Sequence, residues 1–225
     1  MTATWQEALE WTRARTAAGA RLRLDSRRIS PGDVFLAVPG LASDGRSFFK
    51  AAADQGACGI LYEAAGSGGF KAPEGVPSMA VEGLADRLGE FASLCYGEPS
   101  RSMLGIAVTG TNGKTTTSQW MAALLTRSGR PCAAMGTIGC SMAGRTYSSV
   151  PLTTPDPVTL QTLLREVKAD GGEAFALEAS SIGLVQGRLD GTAIRLALFT
   201  NLTRDHLDYH KTMQAYEQAK ALLFK

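Results

Sequence analysis

A short apolar run, residues 104–108, leads into Thr109-Gly110-Thr111-Asn112-Gly113-Lys114-Thr115-Thr116, and a helix-forming stretch follows directly. A strand, a glycine-containing turn and a helix in that order constrain the fold more than any other stretch of the chain. They aim successive backbone N–H groups at one point in front of a helix start, which is a natural seat for an anion. Gly110 and Gly113 allow the backbone to come close to phosphate oxygens. Lys114 adds a point charge suited to β- and γ-phosphates, and the hydroxyl of Thr115 suits Mg2+. Thr111, Asn112 and Thr116 complete the loop, and ATP is the ligand class that this chemistry points to. The general phosphate-loop pattern asks for one more glycine five residues before Gly113, where this chain has Val108, so the generic signature is incomplete and a chance Gly/Lys turn stays open on that pattern alone.

Composition narrows the partner. With 225 residues and 44% hydrophobic content, the chain can bury a substantial core as one large or two modest domains. A net charge of +2 with no accompanying Lys/Arg run argues against a nucleic-acid surface and for a small-molecule partner. Cys58, Cys95, Cys132 and Cys140 form no Cys-x-x-Cys pair, so they read as packing residues in a reducing compartment. The N-terminus lacks the basic-then-apolar pattern of a leader, and no apolar run reaches membrane-spanning length. The expected location is the cytoplasm.

The turn-rich Gly97-Glu98-Pro99-Ser100 marks an expected boundary, giving domains 1–99 and 100–225. In the first, 33–38 and 59–62 read as strands and 48–55 and 84–96 as helices. In the second, 104–108, 132–135, 174–177 and 196–199 read as buried strands, and 114–128 (amphipathic) and 158–168 as helices. Residues 138–141 and 145–149 read as a hairpin joined by Met142-Ala143-Gly144. The expected fold is α/β: a small mixed α/β N-terminal domain, then a P-loop-type domain built on a mainly parallel sheet with helices on both faces.

Four further constellations fall at or just after strand carboxyl ends, or near the end of the chain. Glu178-Ala179-Ser180-Ser181 offers a carboxylate for Mg2+ and hydroxyls for a polar substrate, although a loop glutamate is as often merely solvated. The segment from Thr200 to Asp208 carries His206, one of two histidines, and a lone loop histidine is more often a cap or surface residue than a ligand. Pro151-Leu152-Thr153-Thr154-Pro155 is rigid and hydroxyl-rich, or else an ordinary helix entry capped by Thr154 or Asp156. Lys220 lies on a helix, where a lysine is usually a solvated charge.

Their order carries a resemblance. Gly-Thr-Asn-Gly-Lys-Thr-Thr, Thr-Thr-Pro, Glu-x-Ser-Ser, Gln186-x-Arg188, Asn-Leu-Thr-x-Asp-His-Leu-Asp-Tyr-His and Ala-Lys-x-x-Leu-Phe together resemble the Mur ligase family. Leu24-Asp25-Ser26-Arg27, with residues 32–37 and 40–45, is similar to that family's uridine-nucleotide-binding module. The resemblance implies ATP-dependent addition of an amino acid, meso-diaminopimelate or L-lysine, to UDP-N-acetylmuramoyl-L-alanyl-D-glutamate through an acyl phosphate, in peptidoglycan synthesis. It implies that Lys114, Glu178, His206 and Lys220 are catalytic. Thr115, Glu178, His206 and Lys220, the last as a CO2-carbamylated lysine, would serve Mg2+. Leu24, Ser26, Ser43, Thr153, Thr154, Ser180, Gln186 and Arg188 would contact the UDP-N-acetylmuramoyl-dipeptide, and the protein would act as a monomer.

The chain departs from the family at several places. Leu41, Ala42 and Ser43 stand where relatives have more polar residues, Leu152 where some have asparagine, and Ile182 where many have histidine. It ends five residues after Lys220, where the family continues into a further domain that closes on ATP. Three other readings stay in view: a non-catalytic module that binds the UDP precursor, a folylpolyglutamate-synthetase-like ligase, and a P-loop hydrolase or kinase.

Overall fold

The computed structural model describes residues 2–40, 43–148 and 152–225; Leu41, Ala42, Ser149 and Pro151, on which parts of the sequence reading fall, lie outside them. The chain divides into two compact units, Met1–Gly97 and Glu98–Lys225. Among the described residues no helix is long and apolar enough to cross a membrane.

The first unit runs β1 (Thr2–Ala3), α1 (Trp5–Ala17), β2 (Leu22–Arg23), β3 (Val34–Ala37), α2 (Phe49–Asp54), β4 (Gly59–Glu63), β5 (Ser78–Val81) and α3 (Leu88–Cys95). Its sheet has the order β1-β5-β4-β3-β2, and every pairing is parallel. All four residues of β3 are buried. A parallel strand covered on both faces has no polar side, so it reads as a continuous apolar run, and β3 and β4 were legible for that reason. Helix α1 and strands β1, β2 and β5 were not. Helix α1 buries only Ala8, Leu9, Thr12 and Thr16, too weak a stripe to show periodicity. A capping box starts it instead: Glu7 N–H donates to Thr4 Oγ1 (3.2 Å), and Thr4 N–H donates to the Glu7 carboxylate (2.8 Å).

The second unit contains β6 (Leu104–Thr109), α4 (Lys114–Arg127), β7 (Cys132–Gly136), β8 (Gly139–Met142), β9 (Arg145–Ser148), α5 (Pro157–Ala169), β10 (Ala174–Glu178), α6 (Ser181–Val185), β11 (Leu196–Phe199), α7 (Leu207–His210) and α8 (Met213–Ala221). The sheet order is β11-β6-β10-β7-β8-β9, parallel from β11 to β7 and antiparallel through the hairpin β8–β9. The hairpin loop is two residues rather than three. Ala143 (φ 49°) and Gly144 (φ 83°) are both left-handed, as a tight twisted hairpin demands.

Side chains alternate across the sheet and build two cores. Phe175 and Leu177 face Leu160, Leu164 and Val167 of α5, whereas Ala174 and Ala176 share the opposite cluster with Ala122 of α4. Helices therefore cover both faces. Helix α4 is less cleanly amphipathic than its sequence suggested, since Trp120 and Leu124 are 68% and 62% exposed on its outer side. Cys95, Cys132 and Cys140 are buried free thiols, and burial pushes each pKa up to about 12, which suits packing rather than reactivity. Cys58 is also free and half-buried.

Candidate functional site

The phosphate loop springs from the carboxyl end of β6, which lies between β11 and β10 in the sheet. Gly110 has φ +141° and Gly113 φ +83°, and a Cβ on Gly110 would overlap Thr200 Oγ1. Both conditions require glycine at 110. The segment after β11 straps the loop in place. Thr111 N–H donates to Asn201 O (2.9 Å), Asn112 N–H to Asn201 Oδ1 (3.1 Å) and Thr200 Oγ1 to Asn112 O (2.6 Å). Thr203 N–H donates to Thr111 Oγ1 (3.0 Å), and Thr111 Oγ1 meets Tyr216 Oη of α8 at 3.1 Å. Thr116 is exposed in the first turn of α4.

Two lysines converge on this loop. Lys114 Nζ donates to Gly110 O (3.0 Å) and Thr111 O (2.8 Å), and Lys220 Nζ donates to the same Gly110 O (2.8 Å). Burial lowers the pKa of Lys114, against the opposing charges of Glu178 and Asp205. Burial and the charge of Lys114 lower that of Lys220 to about 8, with Asp205 opposing. Lys220 is 3% exposed, with its Nζ 4.2 Å from the ring centroid of Tyr216. Lys220 is therefore not the solvated charge that a helix lysine usually is: α8 turns it inward onto the loop.

Glu178, the last residue of β10, is buried and polarised by three donors. Thr115 Oγ1 lies 2.9 Å from Oε2, Thr137 N–H 2.9 Å from Oε1, and Thr137 Oγ1 3.3 Å from Oε2. Thr137 Oγ1 also lies 3.1 Å from Thr153 Oγ1, which can donate to it. Because β6 and β10 are adjacent and parallel, Thr115 and Glu178 meet at one sheet edge. A hydroxyl and a carboxylate side by side are hard oxygen donors of the kind Mg2+ takes in small number, leaving its other positions to phosphates and water. Among the described residues no group of three or more His, Cys, Asp and Glu side chains could hold a metal by itself.

His206 is apart from that pair. It has φ +51°, a side chain 43% exposed and its ring 3.6 Å from Asp205, with its centroid 6.0 Å from that of Tyr216. Tyr216 thus lies beside both His206 and Lys220.

Ser180 caps α6, accepting from Gly183 N–H (3.1 Å), and its hydroxyl meets Thr154 Oγ1 at 2.9 Å. Thr154 is fully buried, donates to Glu178 O (2.8 Å) and accepts from Ser180 N–H (2.9 Å). Its hydroxyl is thus tied to the end of β10 and the start of α6. Asp156, not Thr154, caps α5. Arg188 donates to Gln186 Oε1 through Nε (3.0 Å) and Nη2 (2.6 Å), and through Nη1 to Thr154 O (2.8 Å). In the first unit, Leu24 and the buried Ser26 follow β2, and the exposed Ser43 follows β3, with its carbonyl accepting from Gly40 N–H (3.0 Å). These too are carboxyl ends of adjacent parallel strands.

Three residues that sequence reasoning did not single out join the second-unit site, Gly136, Thr137 and Tyr216, and so does His210, the last residue of the motif over residues 201–210. Gly136 and Thr137 end β7 and had the strand-end position as a signal. Nothing in the sequence distinguished Tyr216, and His210 had no role beyond its place in the motif that ends on it, because packing of short helices brings both in.

Comparison with known proteins follows this geometry. The family pattern described as the Mur ligase middle domain matches residues 108–225, and that described as the Mur ligase family catalytic domain matches residues 20–96. The chain is 48% identical over 220 residues to the UDP-N-acetylmuramoyl-L-alanyl-D-glutamate--2,6-diaminopimelate ligase of Janthinobacterium sp., covering 96% of this chain and 43% of that protein. It is 49% identical over 203 residues to the ligase of the same name from Pseudomonas aeruginosa, covering 90% and 41%. A solved structure of a ligase of that name superposes with a TM-score of 0.69 at 37% identity, over 91% of this chain and 40% of that one. The MurF ligase of Thermotoga maritima, solved with ADP, shares the fold at a TM-score of 0.64 and 24% identity, covering 92% of this chain and 43% of that one.

Proposed function

The chain belongs to the Mur ligase family, and from that premise we propose that it forms the UDP-precursor-binding and nucleotide-binding part of an ATP-dependent ligase that joins 2,6-diaminopimelate to UDP-N-acetylmuramoyl-L-alanyl-D-glutamate. The chain spans less than half the length of the relatives it matches, so the reaction is proposed for the whole protein. One observation carries the reading: a glycine-bounded loop at the end of β6 presents Lys114 and Thr115 beside the buried Glu178 of β10.

A carboxylate is a poor electrophile. Transfer of the γ-phosphoryl group to the precursor's carboxylate, with ADP leaving, gives an acyl phosphate; the incoming amine then attacks its carbonyl carbon and phosphate departs. Negative charge gathers on the phosphoryl oxygens during the first step. The amides of the loop and the Lys114 ammonium are placed to stabilise it, once Lys114 exchanges its two loop carbonyls for phosphate oxygens. Mg2+, which Mur ligases use with ATP, would be held by Thr115 and Glu178 and would supply electrostatic stabilisation of the same charge. Thr137 fixes the rotamer of Glu178 for that purpose.

Lys220 and His206 support a second cation in this proposal only if Lys220 is carbamylated, since an ammonium repels a metal whereas a carbamate offers oxygen ligands. A buried lysine with a pKa lowered to about 8 has the neutral amine that CO2 requires. On the substrate side, Ser180, Thr153, Gln186 and Arg188 in the second unit would take the muramoyl-peptide, and Leu24, Ser26 and Ser43 in the first the uridine end.

The test is Lys114→Ala. Turnover of the whole ligase should fall on the order of 10²-fold or more, as for loss of one electrostatic donor. Affinity for the UDP precursor should change far less. Near-normal turnover would show that the loop serves structure alone.

A further inference from the structure

His210 has no part in the reaction as derived, yet it is 8% exposed and carries a polar ring into the interior. Its Nε2 meets Ser181 Oγ at 2.9 Å, and Ser181 is itself buried at the start of α6, directly after Ser180. On its other side the ring packs against Tyr216, with centroids 5.3 Å apart, and Tyr216 is fully buried with its hydroxyl 3.1 Å from Thr111 Oγ1 of the phosphate loop. A second link runs alongside: Tyr209 stacks edge-on against His210 at 4.9 Å, and its hydroxyl accepts from Gln186 Nε2 (3.3 Å) at the far end of α6. The short helix α7 therefore holds both ends of α6, and its buried histidine is the piece that also touches the partner of the loop.

We infer that His210 is a positioning residue that couples occupancy of the phosphate loop to the setting of α6, through Tyr216 on one side and Ser181 on the other. This rests on the reading that the second unit takes a nucleotide at the loop and the muramoyl-peptide at Ser180 and Gln186. The physical ground is close packing. Thr111 is bonded to Tyr216, whose ring has no free space, so a shift of the loop around phosphates is passed to the neighbouring imidazole. The imidazole is directionally bonded to Ser181, and α6 moves with it. A phenyl ring would fill the same space without the cost of burying a polar group, but it could not hold Ser181. Coupling of this kind is reciprocal: nucleotide should change precursor affinity and precursor should change nucleotide affinity by one factor.

The experiment titrates UDP-N-acetylmuramoyl-L-alanyl-D-glutamate into the chain with and without saturating ADP and Mg2+, for wild type, His210→Phe, Ser181→Ala and His210→Gln. The wild-type ratio of the two dissociation constants should be about 5-fold or more. His210→Phe and Ser181→Ala should each bring it to within about 2-fold of one, and His210→Gln, whose amide can still reach a hydroxyl, should restore part of it. A purely packing role predicts altered melting for His210→Phe with the wild-type ratio kept; that result, or a wild-type ratio of one, overturns the inference. If a folded wild-type chain binds neither ligand, the functional reading itself fails and the inference falls with it.

Discussion

At Gly136 an added methyl group would overlap Oε1 of Glu178, so the absence of a side chain there is what lets the carboxylate lie against Thr115 and Thr137. Gly136→Ala should push Glu178 off both partners, destabilise the chain by about 1–3 kcal/mol as other overpacked interiors do, and weaken the Mg2+ dependence of ADP binding. Titrations of ADP at several Mg2+ concentrations, with melting curves, measure this; wild-type Mg2+ dependence in the variant would refute it. Lys220 offers a test of its buried amine. Its folded pKa of about 8 lies below the 10.5 of a free lysine, so between those values the unfolded chain holds a proton that the folded chain has released. Stability from this group therefore rises with pH across that window and is lost as pH falls towards 8. In CO2-free buffer, wild type should gain stability relative to Lys220→Met from pH 8 to pH 10 in denaturant titrations, and parallel curves would show that the amine is solvated.

Helices of the second unit are started by side chains that also border the site. Asp156 accepts from Val158 N–H (3.1 Å) and Thr159 N–H (2.9 Å), with Pro157 in the first turn, and so fixes where α5 begins after Thr154. Asp156→Ala should cost about 1 kcal/mol of stability, seen as a lowered melting temperature, and an unchanged melt would mean that α5 is held by its core contacts alone. The long elements were legible because burial dictates their composition. Strands β6 and β10 are buried apolar runs, and α5 buries Leu160, Leu163, Leu164 and Val167 at helical spacing. Strand β11 is apolar too, but the expectation that 196–199 is buried is corrected: it is the edge strand, with Leu196 and Phe199 about half exposed. Helices α6 and α7, five and four residues long, are shorter than the window in which periodicity can show, and they exist because Ser180 caps one and because both pack near α8. The site divides along the same line. Lys114, Thr115 and Glu178 could be placed together from the sequence because strand ends in a parallel sheet share an edge. Thr137 and Tyr216 could not, since the β7–β10 pairing and helix packing, neither written as a motif, bring them in; His210 stood in a motif, but its contacts come from the same helix packing.

On the scale of the whole molecule the chain divides into two compact units. Among the described residues neither sheet borrows a strand from the other unit: β1 to β5 form one, and β6 to β11 the other. In the first, Phe35, Phe49, Ala52 and Ile60 are buried together, with Tyr62 and Phe70 packed against them and Phe49–Tyr62 in edge contact at 5.2 Å. A core of its own and a sheet of its own are what independent folding requires. Residues 1–97 alone should therefore melt cooperatively. They should also retain the uridine end of the proposed substrate, since Leu24, Ser26 and Ser43 all follow strands of this unit, whereas affinity due to the muramoyl-peptide should be lost with Ser180, Gln186 and Arg188. Calorimetric titration of the isolated unit with UDP-N-acetylmuramoyl-L-alanyl-D-glutamate and with UDP separately makes the comparison. Similar, weakened heats from both are expected; a folded unit that gives no heat with either would remove the uridine assignment and leave the second unit as the only candidate for precursor recognition in this chain.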